Sequence, residues 1–291
     1  MKITAPDPLR IAVALAAFVS FDVAANWILD RLLFWGGVVG ISVAGLSAAL
    51  FANWLALRIY ERRTLSAAGL ALSRASAHNL AYGILGGVAG ASLVLVPPLL
   101  AGTARFAPVP DPPTAGTLPF VTLALAAGSA AEEILFRGYG FQILMAAVGP
   151  FAAIVPVGVL FGLLHTGNPN VLWFGIVNTA GFGILFGYAF LRSRDLWLPI
   201  GLHFGWNFTL PLFGVNVSGL KMEMTGHRMV WTAGVWWSGG DYGPEASVLT
   251  SAVLILLFLA VAKAPLCRQA SPLTDPPAES ALCEPSPPSR F

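Results

Sequence analysis

Cysteine is nearly absent. The 291 residues hold two, Cys267 and Cys283, both close to the C-terminal end. That excludes a disulfide framework and a thiolate zinc knuckle, which need more cysteines at closer spacing. Charge is scarce as well: Asp, Glu, Lys and Arg make up 10% of the chain, against about a quarter in a soluble domain. Sixteen Lys and Arg against fourteen Asp and Glu leave a formal net charge of +2, too little to argue a polyanion, so no nucleic-acid partner is expected. No His-Glu-x-x-His sequence occurs, nor an internal repeat of the kind that inverted-repeat transporters carry.

What the chain has in excess is apolar residues, at 56% with a mean hydropathy of +0.75. A helix that crosses a bilayer needs about 20 mostly apolar residues. Eight stretches read that way, roughly 10–30, 36–57, 79–100, 117–148, 150–166, 171–191, 196–215 and 246–263. They predict an all-α polytopic membrane protein of about eight transmembrane helices, with the lipid bilayer as its surroundings. The reading is one transmembrane domain over 1–263, with a motif core at about 117–213. A Pro- and Ser-rich tail over 264–291 is expected to be disordered. The stretch 117–148 exceeds what a bilayer requires, so it is expected to tilt or to project into the headgroups.

Positive charge predicts the orientation. With both termini in the cytoplasm, the inner segments hold Lys2, Arg10, Arg58, Arg62, Arg63, Arg74, Arg192, Arg194, Lys263, Arg268 and Arg290. The outer ones hold Arg31, Arg105, Lys221 and Arg228. The start of the chain resembles a cleavable leader ending at Val23-Ala24-Ala25, but Asp22, Asn26 and Asp30 argue for a retained helix. Asp22 and Asn26 are expected to serve helix packing, and Asp30 to reach the interface. Residues 62–78 read as a short basic amphipathic piece on the inner surface. In the outer loop 217–245, Trp231, Trp236, Trp237 and Tyr242 are expected to be interfacial anchors. Cys283 lies too far from Phe291 for a prenylation box.

An ionisable residue inside a span is costly and marks a functional hypothesis. Within 117–148, Glu132, Glu133 and Arg137 fall in six residues amid Leu and Ala. Glu133 and Arg137 are at i and i+4 and should pair. Glu132 is turned about 100° away, which leaves it the free carboxylate and the candidate general base. Two further spans bring His165, at the end of 150–166, and His203 with Asn207, at i and i+4. The last two face one place and both offer N–H donors suited to an oxyanion. Together these groups make the parts list for attack of water on a carbonyl, with Glu132 and His165 activating water, His203 and Asn207 receiving the oxyanion, and Glu133 and Arg137 orienting the helix face. A zinc version is open too, with His165, His203 and Glu132 or Glu133 as ligands. The span ends place His165 near the outer side and His203 nearer the inner one, awkward for a shared site.

Glu132-Glu133-x-x-x-Arg137, Phe161-x-x-x-His165 and His203-x-x-x-Asn207, in that order on successive spans, resemble the CPBP family of intramembrane proteases. This is also called the Abi or CAAX-protease-and-bacteriocin-processing family, and it includes the type II CAAX prenyl endopeptidases. The resemblance implies hydrolysis of a peptide bond in a membrane-associated peptide or protein, prenylated and of CAAX type in some members. It also implies Glu132 as base, His165 as its helper in activating water, and His203 and Asn207 as the oxyanion site. The family is commonly labelled metalloprotease, though a metal-independent glutamate mechanism has been argued for it. The Ala, Gly and Pro richness suggests a bacterial inner membrane. Two other readings stand beside the enzyme: a non-catalytic scaffold or self-immunity member, and a proton- or ion-coupled transporter using Asp22, Asn26, Glu132 and His203.

Overall fold

The computed structural model describes residues 8–33 and 36–275. The expectations for Lys2, Arg290, Cys283 and the tail beyond residue 275 lie outside the described residues. Ten helices follow in chain order: α1 Pro8–Leu33, α2 Gly37–Ala56, α3 Arg74–Leu100, α4 Thr117–Arg137, α5 Tyr139–Val148, α6 Pro150–Leu164, α7 Trp173–Ser193, α8 Trp197–Leu212, the single turn α9 Val235–Ser238, and α10 Val248–Lys263. Two strands, β1 Ala104–Pro108 and β2 His227–Trp231, pair antiparallel with Ala104 opposite Trp231. The chain is an all-α polytopic membrane protein.

Among the described residues six stretches are long and apolar enough to cross a membrane: Pro8–Leu33, Gly37–Glu61, Arg74–Leu100, Thr117–Val148, Pro150–Gly167 and Trp173–Ser193. The other two expected spans form α8 and α10, of 16 residues each. At 1.5 Å per residue such a helix is ~24 Å long, short of the ~30 Å hydrocarbon core. Most of α8 is buried inside the protein, so its length answers to neighbouring helices and not to lipid.

The long stretch 117–148 is not one helix. It breaks at Gly138, with φ −73° and ψ −144°. Asn53 of α2, fully buried, repairs the break from both sides. Its Nδ2 donates to Ile134 O at 3.0 Å and its Oδ1 accepts from Tyr139 N at 2.7 Å. Backbone groups freed inside a membrane need such partners. A Cβ at position 138 would collide with the Asn53 side chain, so glycine is required there.

Small residues set how the helices meet. Where lipid is as apolar as the protein, close backbone approach drives association in place of the hydrophobic effect. Gly83 and Gly87 of α3 face Gly201 and Gly205 of α8. A Cβ on Gly83 would stand 2.9 Å from Gly201 Cα, and one on Gly87 2.6 Å from Trp206 N. Gly158 and Gly162 of α6 meet Gly183 and Ala180 of α7 in the same way. His203 is two residues from both Gly201 and Gly205, about 200° around the helix. Locking the glycine face against α3 therefore turns His203 away from α3, toward the interior.

One end of the bundle gathers the basic segments. Arg10 Nη2 donates to Tyr60 O at 3.0 Å, Leu196 N to Gly69 O at 3.0 Å, and Gln269 N to Ser193 O at 2.8 Å. One expectation is corrected here. Residues 264–275 do not hang free as a disordered tail: Cys267 N bonds Asn79 Oδ1 at 3.0 Å, and Arg194 Nη1 donates to Thr274 Oγ1 at 2.9 Å. Polar partners on α3 and after α7 capture this short segment despite its composition. In residues 62–78 the basic Arg62, Arg63 and Arg74 are exposed while Ala67 and Ala68 are buried, and Ala68 O accepts from Gln142 Nε2 at 2.8 Å. At the other end Trp236 and Trp237 are exposed, as interfacial anchors would be, but Tyr242 is fully buried, packed on Gly175. Asp22 is buried and accepts from Asn26 Nδ2 at 3.0 Å within α1, while Asp30 is exposed.

Candidate active site

Position along α4 separates the two glutamates. Glu133 and Arg137, one turn apart, are both fully buried, with Arg137 Nη1 to Glu133 Oε1 at 3.0 Å. Arg137 Nη2 donates to Gly183 O at 2.7 Å, so the guanidinium ties α4 to α7. Three aromatic rings enclose the cation: Phe161, Phe186 and Phe136 lie 4.9, 5.4 and 5.6 Å from Cζ. Ring faces are electron-rich and attract a desolvated cation. Glu132, on the neighbouring face, keeps 41% of its side chain exposed and lines a cavity of about 290 Å³.

Glu133 also reaches α8, where its Oε1 lies 2.9 Å from His203 Nδ1. A carboxylate only accepts, so Nδ1 carries the proton and the ring's second nitrogen is turned toward the cavity. There His203 Nε2 stands 3.9 Å from Glu132 Oε2. Phe186 stacks on the imidazole at 4.9 Å, and Phe161 meets it edge-on at 6.0 Å. The ring is held from two sides by packing and from a third by the carboxylate.

The same cavity is lined by His165 and Asn207. Thus Glu132 from α4, His165 from the end of α6, and His203 and Asn207 from α8 converge on one space. The depth conflict read from the span ends does not keep these residues apart: His165 follows directly on α6, Pro150–Leu164, and lines the same cavity as His203. Past α6 the chain turns through His165–Gly167, where His165 and Asn168 are half-buried and Asn168 Nδ2 bonds Ser218 O at 2.9 Å. His165 Nδ1 bonds Phe161 O at 2.8 Å. A carbonyl also only accepts, so Nδ1 is again the protonated nitrogen and Nε2 the free one. Asp22 and Asn26 do not line this cavity.

Glu245, absent from the sequence reading, lines the cavity as well. It sits in the helical turn Pro244–Ala246 and is 5% exposed. Its Oε2 accepts from Ser218 N and from Ser218 Oγ at 3.0 Å, and its Oε1 from Trp206 Nε1 at 3.3 Å. Burial pushes this carboxyl above the usual carboxylate range, while the Ser218 donors and Trp206 pull the other way. Nothing local marks the residue in sequence, because a loop carboxylate is ordinarily solvated. Only the return of this loop over α8 buries it.

Among the described residues no three His, Cys, Asp or Glu side chains are grouped so as to hold one ion. One oxygen of Glu133 is committed to both Arg137 and His203. Of the zinc sets read from the sequence, the one through Glu133 would compete with Arg137 and His203 for that oxygen.

A buried Glu–Arg–His cluster backing a cavity of about 290 Å³ inside an all-helical membrane protein defines the class: a polytopic membrane protein with a candidate hydrolytic centre. The comparison with family models then gives the relationship. Residues 114–209 match the family described as type II CAAX prenyl endopeptidase, Rce1-like, and the chain is similar to that family over that segment. It spans α4 to most of α8 and includes all six residues singled out in the sequence. A comparison with curated proteins finds no match.

Proposed function

We propose that the chain is an intramembrane endopeptidase that hydrolyses a peptide bond in a membrane-associated peptide or protein. The observation that carries this reading is the convergence of Glu132, His165, His203 and Asn207 on one cavity, backed by the buried Glu133–Arg137 pair. The likeness to CAAX prenyl endopeptidases over 114–209 supports the choice of bond and names the first substrate to try, a prenylated CAAX-type tail.

In this reading a water molecule lies between Glu132 and the free Nε2 of His165. Glu132 takes its proton as the oxygen bonds to the carbonyl carbon. The carbonyl π electrons move to oxygen, and the resulting oxyanion faces the Asn207 amide and His203 Nε2. His203 already gives its Nδ1 proton to Glu133, so it donates from Nε2 only as the imidazolium. The Glu133 carboxylate stabilises that form, which is the chemical use of placing Glu133 against both Arg137 and His203. Collapse of the tetrahedral species breaks the C–N bond, and the leaving amine takes the proton held by Glu132.

We place both termini in the cytoplasm of a bacterial cell, following the excess of basic residues at one end. The cavity is lined from the opposite end by Ser218, Leu220 and Met222. The test is cleavage of a farnesylated CAAX peptide and its unfarnesylated twin by purified protein, with and without a strong chelator. Cleavage that survives the chelator is expected. Loss restored by added zinc overturns the metal-free mechanism, and equal turnover of both peptides removes the prenyl requirement. The scaffold reading predicts instead that a cellular phenotype survives Glu132→Ala.

A further inference from the structure

Glu245 joins parts of the cavity wall that are far apart in sequence. Through Trp206 Nε1 it holds α8 at the residue next to Asn207. Through Ser218 N and Oγ it holds the turn Val217–Leu220, whose ends bond each other across Val217 N and Leu220 O at 2.9 Å. That turn is in turn tied to the His165 side, where Ser218 O accepts from Asn168 Nδ2 and Asn168 N bonds His165 O at 3.1 Å. From behind, Glu245 O accepts from Asn178 Nδ2 of α7 at 2.7 Å, and Gly219 N donates to Tyr242 O at 2.7 Å. The carboxylate thus bonds both α8 and the turn, and the turn is bonded to the end of α6.

Trp206 extends the linkage to the imidazole of His203. Its ring lies 4.5 Å from Phe182, which lies 5.9 Å from Phe186, which stacks on His203 at 4.9 Å. An acceptor that fixes the indole therefore fixes one end of a packed row whose other end is His203. Glu245 and Ser218 both fall outside the family-matched segment 114–209, so the matched core does not supply this support by itself.

We infer that Glu245 is a positioning residue of the hydrolytic site, one that sets the distance between His165 on one wall and His203 with Asn207 on the other. It acts through Trp206 and Ser218 and touches no reacting atom. The inference rests on the endopeptidase reading only where activity is measured, because the linkage itself has a readout that needs no substrate.

Three full-length variants test it: Glu245→Gln, Trp206→Phe and the double variant. An amide cannot accept from three donors as a carboxylate does, and phenylalanine removes the Nε1 donor together with part of the ring that packs on Phe182. Misplacement on the order of 1 Å costs up to ~100-fold in rate. Glu245→Gln is therefore expected to lower kcat by about 10- to 100-fold while KM stays within about threefold. The double variant should lose no more than the worse single one, as residues acting in one chain do. Unchanged kcat, or losses that multiply, overturn the inference. The second measurement is hydrogen–deuterium exchange of backbone amides in 165–170 and 216–220, read on the same proteins without substrate. Faster exchange in Glu245→Gln at both segments supports the linkage even if no peptide is cleaved, and exchange equal to wild type at 165–170 overturns it.

Discussion

Glu133 Oε1 lies 2.9 Å from His203 Nδ1, which joins the end of α4 to the middle of α8 across 70 residues of sequence. The same oxygen receives Arg137 at 3.0 Å. One carboxylate oxygen thereby neutralises a buried guanidinium and fixes the tautomer of an imidazole. Burying charge is costly unless it is paired in good geometry, and here the pairing orients the group that faces Glu132.

Removing one partner of that pair leaves an unmatched charge in the interior. Arg137→Met should destabilise the protein by about 3–5 kcal/mol, measured as loss of resistance to denaturant in detergent. Glu133→Gln should destabilise it too and should also free the His203 ring, so activity falls further than stability explains. A variant of either kind as stable as wild type would mean that the pair is not a support of the fold.

Asp195, between α7 and α8, gives a pH dependence of known sign. It is almost fully buried, and burial raises its carboxyl from 3.8 to about 6, against the lowering effect of bonds from Asn79, Leu198 N, Ser193 and Trp197 N. A folded pKa above the unfolded one means that the folded state binds the proton more tightly. Its contribution to stability is fully present below pH 3.8 and is lost as pH rises through about 6. Asp195→Asn should flatten the stability profile between those values. An unaltered profile would contradict the assignment to Asp195.

The glycine contact of α3 with α8 predicts a steric effect. Gly87→Leu would place a Cβ 2.6 Å from Trp206 N and 2.9 Å from Gly205 C, both backbone atoms that cannot swing aside. A loss of about 1–3 kcal/mol or more is expected, with activity falling because α8 carries His203 and Asn207. Gly36→Ala, where the added Cβ meets nothing within 4 Å, is the control and should stay within about 0.5 kcal/mol. Equal melting temperatures for the two variants would contradict the packing argument.

Much of this was legible in the sequence because membrane physics makes the rules strict. Long apolar runs read as helices, and the spacing of Glu133 and Arg137 predicts their pair, found at 3.0 Å. The turn between Glu132 and Glu133 predicts that one is paired and the other lines the cavity, as they do. Illegible were the features that depend on partners distant in the chain. The break at Gly138 needs Asn53, 85 residues earlier, to satisfy the freed backbone. Residues 264–275 look disordered by composition until Asn79 and Arg194 are seen to hold them. Glu245 looks like a solvated loop acid until Ser218 and Trp206 close over it.

The central claim is that Glu132 is the base of a peptide-bond hydrolysis. The most direct measurement is the cleavage rate of purified wild type and Glu132→Gln on one farnesylated peptide, with folding of both checked by their melting temperatures. The account predicts that the variant folds as wild type does and loses at least about 100-fold in kcat, within the ~10²–10⁴ range of general-base contributions. A folded Glu132→Gln protein that cleaves at the wild-type rate would contradict it.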